Sequence, residues 1–226
     1  MLIGAALLDR VDGAVARKLG LTEPLENRWL PHHISFGSIL DDIADAVSFC
    51  IAPAWIFYLC FSDASDPIIQ QLPTGFVALC YAVLGIARLV FFTRDRTPIP
   101  GFFKGMPAPA AALLVVAPLI IFTEASHEVL EWVRFLGIFC FGLMIGAALL
   151  MNLYPVRYLH LGRFMGRHPW FARVTILLVL VFAFTPYFGY IAFLYLFLYL
   201  LSPLVSWRIK PDVAARETQT KTDTPQ

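Results

Sequence analysis

Four aspartates stand in two short blocks of this sequence at helical spacings. In LLDRVDGAVAR, Asp9 and Asp12 are three residues apart, and in FGSILDDIADAVSF, Asp41 and Asp45 are four residues apart. Residues three or four apart lie on the same face of a helix. Each block therefore predicts a helix that presents two carboxylates side by side.

Carboxylates from two neighbouring helices form the oxygen-rich site that hard cations such as Mg²⁺ or Mn²⁺ prefer. In phosphoryl transfer such ions neutralise a diphosphate, polarise the phosphorus under attack and stabilise the leaving group. An acceptor alcohol also needs a general base, and we assign Asp45 because it lies one helical turn deeper than Asp41. The alternative is that the acids form salt bridges with nearby basic residues at the membrane surface, an interpretation that we accept for Asp42 alone.

The composition assigns the chain to a bilayer. Of its 226 residues, 59% are hydrophobic and 15% are charged, whereas soluble domains contain about 25% charged residues. The net charge of +1 gives no reason to expect a nucleic-acid partner. Four cysteines lie inside apolar runs without CxxC or histidine spacing, so we expect packing or lipid-facing roles and not zinc or disulfide bonds.

Apolar runs of about 20 residues predict transmembrane helices. Six complete runs cover approximately residues 36–61, 75–92, 106–122, 133–152, 171–184 and 187–207. The apolar start before Asp9 is too short to cross a bilayer and resembles the second half of a span, so we expect a missing upstream segment. The predicted fold is an all-α, polytopic transmembrane helix bundle with six complete spans plus a partial N-terminal span, over residues 1–210, followed by a disordered tail at 211–226.

Basic residues alternate along the connections between these runs. The stretch 10–28 has four, the next connection none, FFTRDRTPIPGFFK three, TEASHEVLEW none, the stretch 157–173 four, FTPYFGY none and the tail four. Short cytoplasmic connections collect Lys and Arg. Both aspartate blocks and the C-terminus are therefore predicted to face the cytoplasm.

The two blocks, DRVDGAVAR and GSILDDIAD, fill every position of the pattern D-x-x-D-G-x-x-A-R then G-x-x-x-D-x-x-x-D. The chain thus resembles the CDP-alcohol phosphatidyltransferase family. The resemblance implies an enzyme in which Asp45 is the base and in which two sets of residues form the site. The implied metal ligands are Asp9, Asp12, Asp41 and Asp45, and the implied CDP-binding residues are Gly13, Ala16, Arg17 and Gly37.

The segments LDDIADAVSFCIAPA, FFKGMPAPAAA and MNLYPVRY are similar to the phosphatidylserine synthases of that family. This implies transfer of a phosphatidyl group from CDP-diacylglycerol to serine, in a homodimer of the bacterial inner membrane. Arg88 is the candidate for the serine carboxylate, with a snorkelling residue at a helix end as the alternative. Lys104 is the candidate for a lipid phosphate, although a positive-inside anchor explains it equally well.

Two alternative functions stay open at this point. The acceptor could be glycerol phosphate, inositol phosphate or choline, but an anionic acceptor would want several clustered basic residues. A cation transporter could use the carboxylates as its ion site. It would be expected to hold them near the midplane on broken helices, often within internal repeats, and the sequence contains no repeat.

Overall fold

The computed structural model of the protein describes residues 36–62, 64, 66–94, 99, 102–125, 130–161, 165 and 168–207. The first aspartate block, with Asp9, Asp12, Gly13, Ala16 and Arg17, lies outside the described residues, and so does the tail at 211–226. What is described is almost entirely helical, as the sequence predicts.

The first long helix is built in three parts. Helix α1 (Phe36–Asp45) continues into a π-helical segment (Ala46–Ile51) and then into α2 (Ala52–Ser62). Its apolar part, Leu40–Ser62, is long enough to cross a membrane. The short helix α3 (Pro67–Gln70) follows it.

Six further helices complete the described chain. They are α4 (Thr74–Arg94), α5 (Ala108–Glu124), α6 (Leu130–Met151), α7 (Pro169–Phe182), α8 (Phe188–Leu200) and α9 (Ser202–Ser206). Like Leu40–Ser62, helices α4 and α6 are long and apolar enough to span a bilayer, whereas α5, α7 and α8 are shorter apolar helices. All six predicted runs thus form apolar helices. Three of them fall short of the ~20 residues that a hydrocarbon core of about 30 Å requires.

Helix α5 runs through the middle of the bundle and packs against α2, α6 and α8. Small residues permit this, because Ala108, Ala111 and Ala112 are almost fully buried. On α8, a side chain at Gly189 would approach Ile121 to 3.0 Å. Transmembrane helices pack closely through such small residues, since lipid offers little hydrophobic driving force for their association.

Two three-residue strands, absent from the prediction, join the connections at one end of the bundle. Strand β1 (Phe102–Lys104) pairs antiparallel with β2 (Arg157–Leu159). Between β1 and α5, Gly105 has a φ of 74°, a left-handed conformation that glycine adopts without steric cost. A Cβ there would also lie 2.6 Å from the carbonyl oxygen of Met151.

The described charged residues separate into two groups along the bundle. We call the end that contains Asp41, Asp45, Lys104 and Arg157 the motif end. The far end contains the connections after α2 and α5, where Asp66 and Arg134 form a salt bridge. The alternation of helix ends agrees with the predicted succession of spans.

Candidate active site

Asp41 and Asp45 lie on the last two turns of α1, at the motif end of the first span. Their spacing of four residues puts both carboxylates on one side of the helix. Asp41 is exposed in the described part of the chain and Asp45 is half-buried. Gly37, one turn before Asp41, belongs to the same helix, so the order Gly37, Asp41, Asp45 follows one helical face as predicted.

Immediately after Asp45, the helix changes its hydrogen-bonding pattern. The N–H of Ala52 donates to the carbonyl of Val47, five residues earlier. The carbonyl of Phe49, within this π-helical segment, accepts a hydrogen bond from the Tyr81 hydroxyl of α4 at 3.3 Å. Such π turns are rare and frequently mark functional sites. Here the irregular turn lies directly beneath the proposed base.

Arg88 is buried on the face of α4 that packs into the bundle, with 3% of its surface exposed. Its Cζ atom lies 5.2 Å from the ring centroid of Phe92, one turn further along the helix, in a cation–π arrangement. A snorkelling arginine would keep its guanidinium at the surface. This burial therefore favours a role inside the bundle over the snorkelling alternative.

Two contacts between α4 and the first span bracket Arg88 and Asp45. Near the middle of the bundle, a Cβ on Gly85 would lie 2.7 Å from the Cys50 Sγ atom, so the two backbones approach closely. At the motif end, the Thr93 hydroxyl donates to Asp42, with distances of 3.1 and 3.2 Å to the two carboxylate oxygens. On α4, Arg88 lies between Gly85 and Thr93. On the first span, Asp45 lies between Asp42 and Cys50. The two side chains thus belong to the same level of the bundle.

Lys104 ends strand β1 and stands opposite Arg157 of β2 in the strand register. The strand register thus brings two cationic residues side by side at the motif end. The strand is connected to α4 through rings: the Phe92 and Phe103 centroids are 6.0 Å apart. Lys104 therefore lies at the same end of the bundle as Arg88.

The outer edge of β2 is covered by the C-terminal helices. The Tyr199 hydroxyl of α8 donates to the Leu159 carbonyl at 3.0 Å, and the Ser206 hydroxyl of α9 donates to the Arg157 carbonyl. Between these two carbonyls, Tyr158 is buried, and loss of hydration raises the pKa of its phenol. The closing helices thus fix the strand that holds Arg157.

The described residues hold half of the predicted metal site. Within them, no three His, Cys, Asp or Glu side chains are close enough together to hold an ion. Asp41 and Asp45 supply hard oxygen donors on one face, which fits Mg²⁺ or Mn²⁺. Their predicted partners, Asp9 and Asp12, lie outside the described residues.

Sequence reasoning missed two contributors to this end of the bundle. Thr93 carries no motif, and a single threonine at the end of an apolar run gives no signal of its partner 51 residues away. The position of Arg157 opposite Lys104 depends on strand pairing, which two three-residue segments are too short to predict.

The matching family model is that of the CDP-alcohol phosphatidyltransferases, which aligns with residues 1–143 and so includes both aspartate blocks. The chain belongs to the CDP-alcohol phosphatidyltransferase family.

Curated relatives carry more specific names. The chain is 30% identical over 190 residues to a CDP-diacylglycerol–serine O-phosphatidyltransferase of Mycobacterium leprae, covering 81% of this chain and 55% of that protein. A Helicobacter pylori protein of the same name is 30% identical over 188 residues, which are 80% of this chain and 68% of the relative. A phosphatidylcholine synthase of Mesorhizobium japonicum is 27% identical over 184 residues, covering 77% of this chain and 55% of the relative. The chain therefore spans little more than half the length of several relatives that it matches.

Proposed function

We propose that this protein transfers the phosphatidyl group of CDP-diacylglycerol to L-serine, giving phosphatidylserine and CMP. One observation carries the proposal. Asp45 and the buried Arg88 lie at the same level of the bundle, between the two contacts that join α4 to the first span. A base for the alcohol and a cation for the carboxylate of the same small acceptor would then be close together. The serine-specific names of the mycobacterial and Helicobacter relatives support this choice of acceptor.

In the proposed reaction, the serine hydroxyl oxygen attacks the phosphorus that carries diacylglycerol. The bond from that phosphorus to the CMP oxygen breaks, CMP leaves, and the hydroxyl proton passes to the Asp45 carboxylate. Arg88 would hold the serine carboxylate through two parallel hydrogen bonds. Mg²⁺ or Mn²⁺, bound by Asp9, Asp12, Asp41 and Asp45, would neutralise the diphosphate and stabilise the leaving group.

The remaining substrate contacts are assigned to glycines and basic residues. Gly13, Ala16, Arg17 and Gly37 would line the CDP site, since residues without large side chains let a nucleotide approach the helix backbone. Lys104 would hold a lipid phosphate, and its position opposite Arg157 supports an anion there.

We further propose that the motif end faces the cytoplasm of a bacterium, that the protein is embedded in the inner membrane, and that it acts as a homodimer. The distribution of cations supports the orientation. Arg94, Lys104 and Arg157 belong to the motif end, whereas Arg134 at the far end is paired with Asp66. The position of Asp41 and Asp45 near the end of a span also favours an enzyme over a transporter with a midplane ion site.

CMP release from CDP-diacylglycerol by the full-length protein in detergent with Mn²⁺ tests the acceptor. Serine should support release, whereas glycerol 3-phosphate, inositol phosphate and choline should not. Choline is the critical comparison because of the phosphatidylcholine synthase relative. Release with choline in place of serine would reassign the acceptor, and absence of release with all four would refute the proposal.

Two substitutions test the roles. Asp45→Asn should abolish release, whereas Glu124→Gln, the same carboxylate-to-amide change at the exposed far end of α5, should leave it unchanged. Arg88→Lys should raise the KM for serine more than the KM for CDP-diacylglycerol, because a lysine cannot grip a carboxylate through two parallel bonds. Equal changes in the KM for serine and the KM for CDP-diacylglycerol would show that Arg88 does not bind serine.

A further inference from the structure

We propose that Asp42 is a positioning residue for this reaction: its hydrogen bond with Thr93 fixes the rotation of α1, and so aims Asp41 and Asp45 at the metal. The inference deepens the proposed function and rests on it. Asp42 lies next to the assigned carboxylates, but the family pattern D-x-x-x-D leaves its position open.

Helix geometry explains how one residue can aim the other two. At 3.6 residues per turn, Asp45 projects about 40° from Asp41 around the axis of α1, and Asp42 projects about 100° from Asp41 in the same sense. Asp42 thus flanks the face that carries the two carboxylates. Any rotation of α1 that carries Asp42 away from α4 turns the other two by the same angle.

A constraint of this kind is useful because of the π-helical segment below Asp45. This segment replaces regular α-helical hydrogen bonds between α1 and α2 by bonds that span five residues, so it resets the rotation of α1 relative to α2. Helix α4 is itself fixed against the segment by Tyr81, which donates to the Phe49 carbonyl, and by the contact of Gly85 with Cys50. Asp42 and Thr93 extend this attachment beyond the irregular turn to the motif end.

The chemistry of the contact favours a firm bond. The Thr93 hydroxyl has one proton and two kinds of acceptor within reach, the Asp42 carboxylate and the Leu89 carbonyl at 3.1 Å. An ionised carboxylate is the stronger acceptor, and such charge-assisted bonds are about twice as strong as neutral ones. Both Asp42 and Thr93 are half-buried, where competition from water is reduced.

Direct Mn²⁺ binding to the full-length protein, followed by the electron paramagnetic resonance of the free ion, tests the inference without relying on turnover. Thr93→Val removes the hydroxyl and keeps the shape, and it should raise the Kd for Mn²⁺ about tenfold, a typical effect of losing a residue that orients a metal ligand. Thr93→Ser keeps the hydroxyl and should restore binding to within about twofold of wild type. Thr123→Val is the matched control, since its hydroxyl bonds to the Ile120 carbonyl of its own helix.

A double-mutant cycle separates the proposed path from a packing effect. If Thr93 acts through Asp42, Thr93→Val should have no further effect on Mn²⁺ binding in an Asp42→Ala background. The inference would be overturned if Thr93→Val had the same Kd for Mn²⁺ as the Thr123→Val control. It would also be overturned if Thr93→Val and Thr93→Ser lost the same Mn²⁺ affinity. Failure of the proposed function looks different, because the wild type would then bind Mn²⁺ and release no CMP with serine.

Discussion

The hydroxyl of Tyr81 on α4 donates a hydrogen bond to the main-chain carbonyl of Phe49, inside the π-helical segment of the first span. The Tyr81 side chain is fully buried, and Phe49 is 1% exposed. In a bilayer no water competes for this carbonyl, so the hydrogen bond from Tyr81 holds α4 against the irregular turn. Tyr81 therefore stabilises the irregular turn that lies next to Asp45.

Tyr81→Phe should destabilise the protein by about 1 kcal/mol, because it removes a buried hydrogen bond between α4 and the Phe49 carbonyl. The expected result is a lower midpoint of thermal unfolding in detergent together with lower CMP release. Tyr58→Phe is the matched control, since the Tyr58 ring is 39% exposed on the outside of α2. Equal midpoints for the two variants would show that the tyrosine hydroxyl does not support the π turn.

Gly85→Ala should separate α4 from the first span. The added Cβ would lie 2.7 Å from the Sγ atom and 3.0 Å from the Cβ of Cys50, and overpacking of this kind costs about 1–3 kcal/mol. Because Arg88 is one turn away, CMP release should fall as well. The measurement is the unfolding midpoint alongside activity.

The same change at an open position is the control for Gly85. A Cβ on Gly146 of α6 meets nothing within 4 Å among the described residues, so Gly146→Ala should be neutral in the monomer. Cys50→Ala removes the nearest atom and should partly restore the Gly85→Ala variant. If the Gly85 and Gly146 variants unfolded alike, the close approach of the two backbones would be disproved.

The sequence was a good guide to elements whose signal is local. Apolar runs gave the helices, and alternating basic connections agree with the alternating helix ends of the bundle. The four-residue spacing of Asp41 and Asp45 gave their shared face. The sequence allowed two roles for Arg88, as a partner of the serine carboxylate or as a snorkelling residue at a helix end. Its burial on α4 is consistent with the first role.

The features missed by the sequence depend on distant partners. Tyr81 and Gly85 of another helix meet Phe49 and Cys50 at the π turn, and hydropathy carries no information on that contact. The β1–β2 pair consists of two three-residue strands, which are too short to show a periodic pattern. The predicted runs at 106–122 and 171–184 have the lengths of α5 and α7 but are displaced by two residues, whereas the run at 187–207 extends past the end of α8 because apolar residues continue through a turn into α9.

At the far end, stability should depend on pH through Asp66. Burial by itself raises the pKa of this carboxyl. Hydrogen bonds from the Arg134 side chain and from the N–H groups of Ile68 and Ile69, with the charge of Arg134, outweigh that effect and lower the pKa below its ordinary value of 3.8. A lowered native pKa stabilises the fold at pH values above the ordinary pKa, and this contribution is lost as the pH falls through the native value.

The expected result is an unfolding midpoint that falls on acidification below the ordinary aspartate pKa. Arg134→Gln should lower the midpoint at neutral pH and flatten this acid-dependent fall, because the Asp66 pKa then moves back upward. Glu124→Gln, at the end of α5, serves as the control for general acid effects. An unchanged acid profile in Arg134→Gln would contradict the assigned role of the Asp66 and Arg134 pair.

The last prediction concerns Ser206 and the strand that holds Arg157. The Ser206 side chain is fully buried, and its hydroxyl donates to the Arg157 carbonyl. Loss of this bond in Ser206→Ala frees the edge of β2 and lets Arg157 move relative to Lys104. If this pair holds a lipid phosphate, the KM for CDP-diacylglycerol should rise about fivefold, the factor for a hydrogen bond of about 1 kcal/mol, while kcat changes little.

Ser202→Ala is the matched control for Ser206, because Ser202 is also buried in α9 but its hydroxyl has no hydrogen-bond partner among the described residues. Removing that hydroxyl should be neutral or slightly stabilising, since an unsatisfied buried polar group is itself unfavourable. Steady-state kinetics of both variants distinguish substrate binding from a general loss of fold. If Ser206→Ala lowered kcat and left the KM for CDP-diacylglycerol unchanged, the β1–β2 pair would have no part in lipid binding. Its hydrogen bonds would then have a purely structural role.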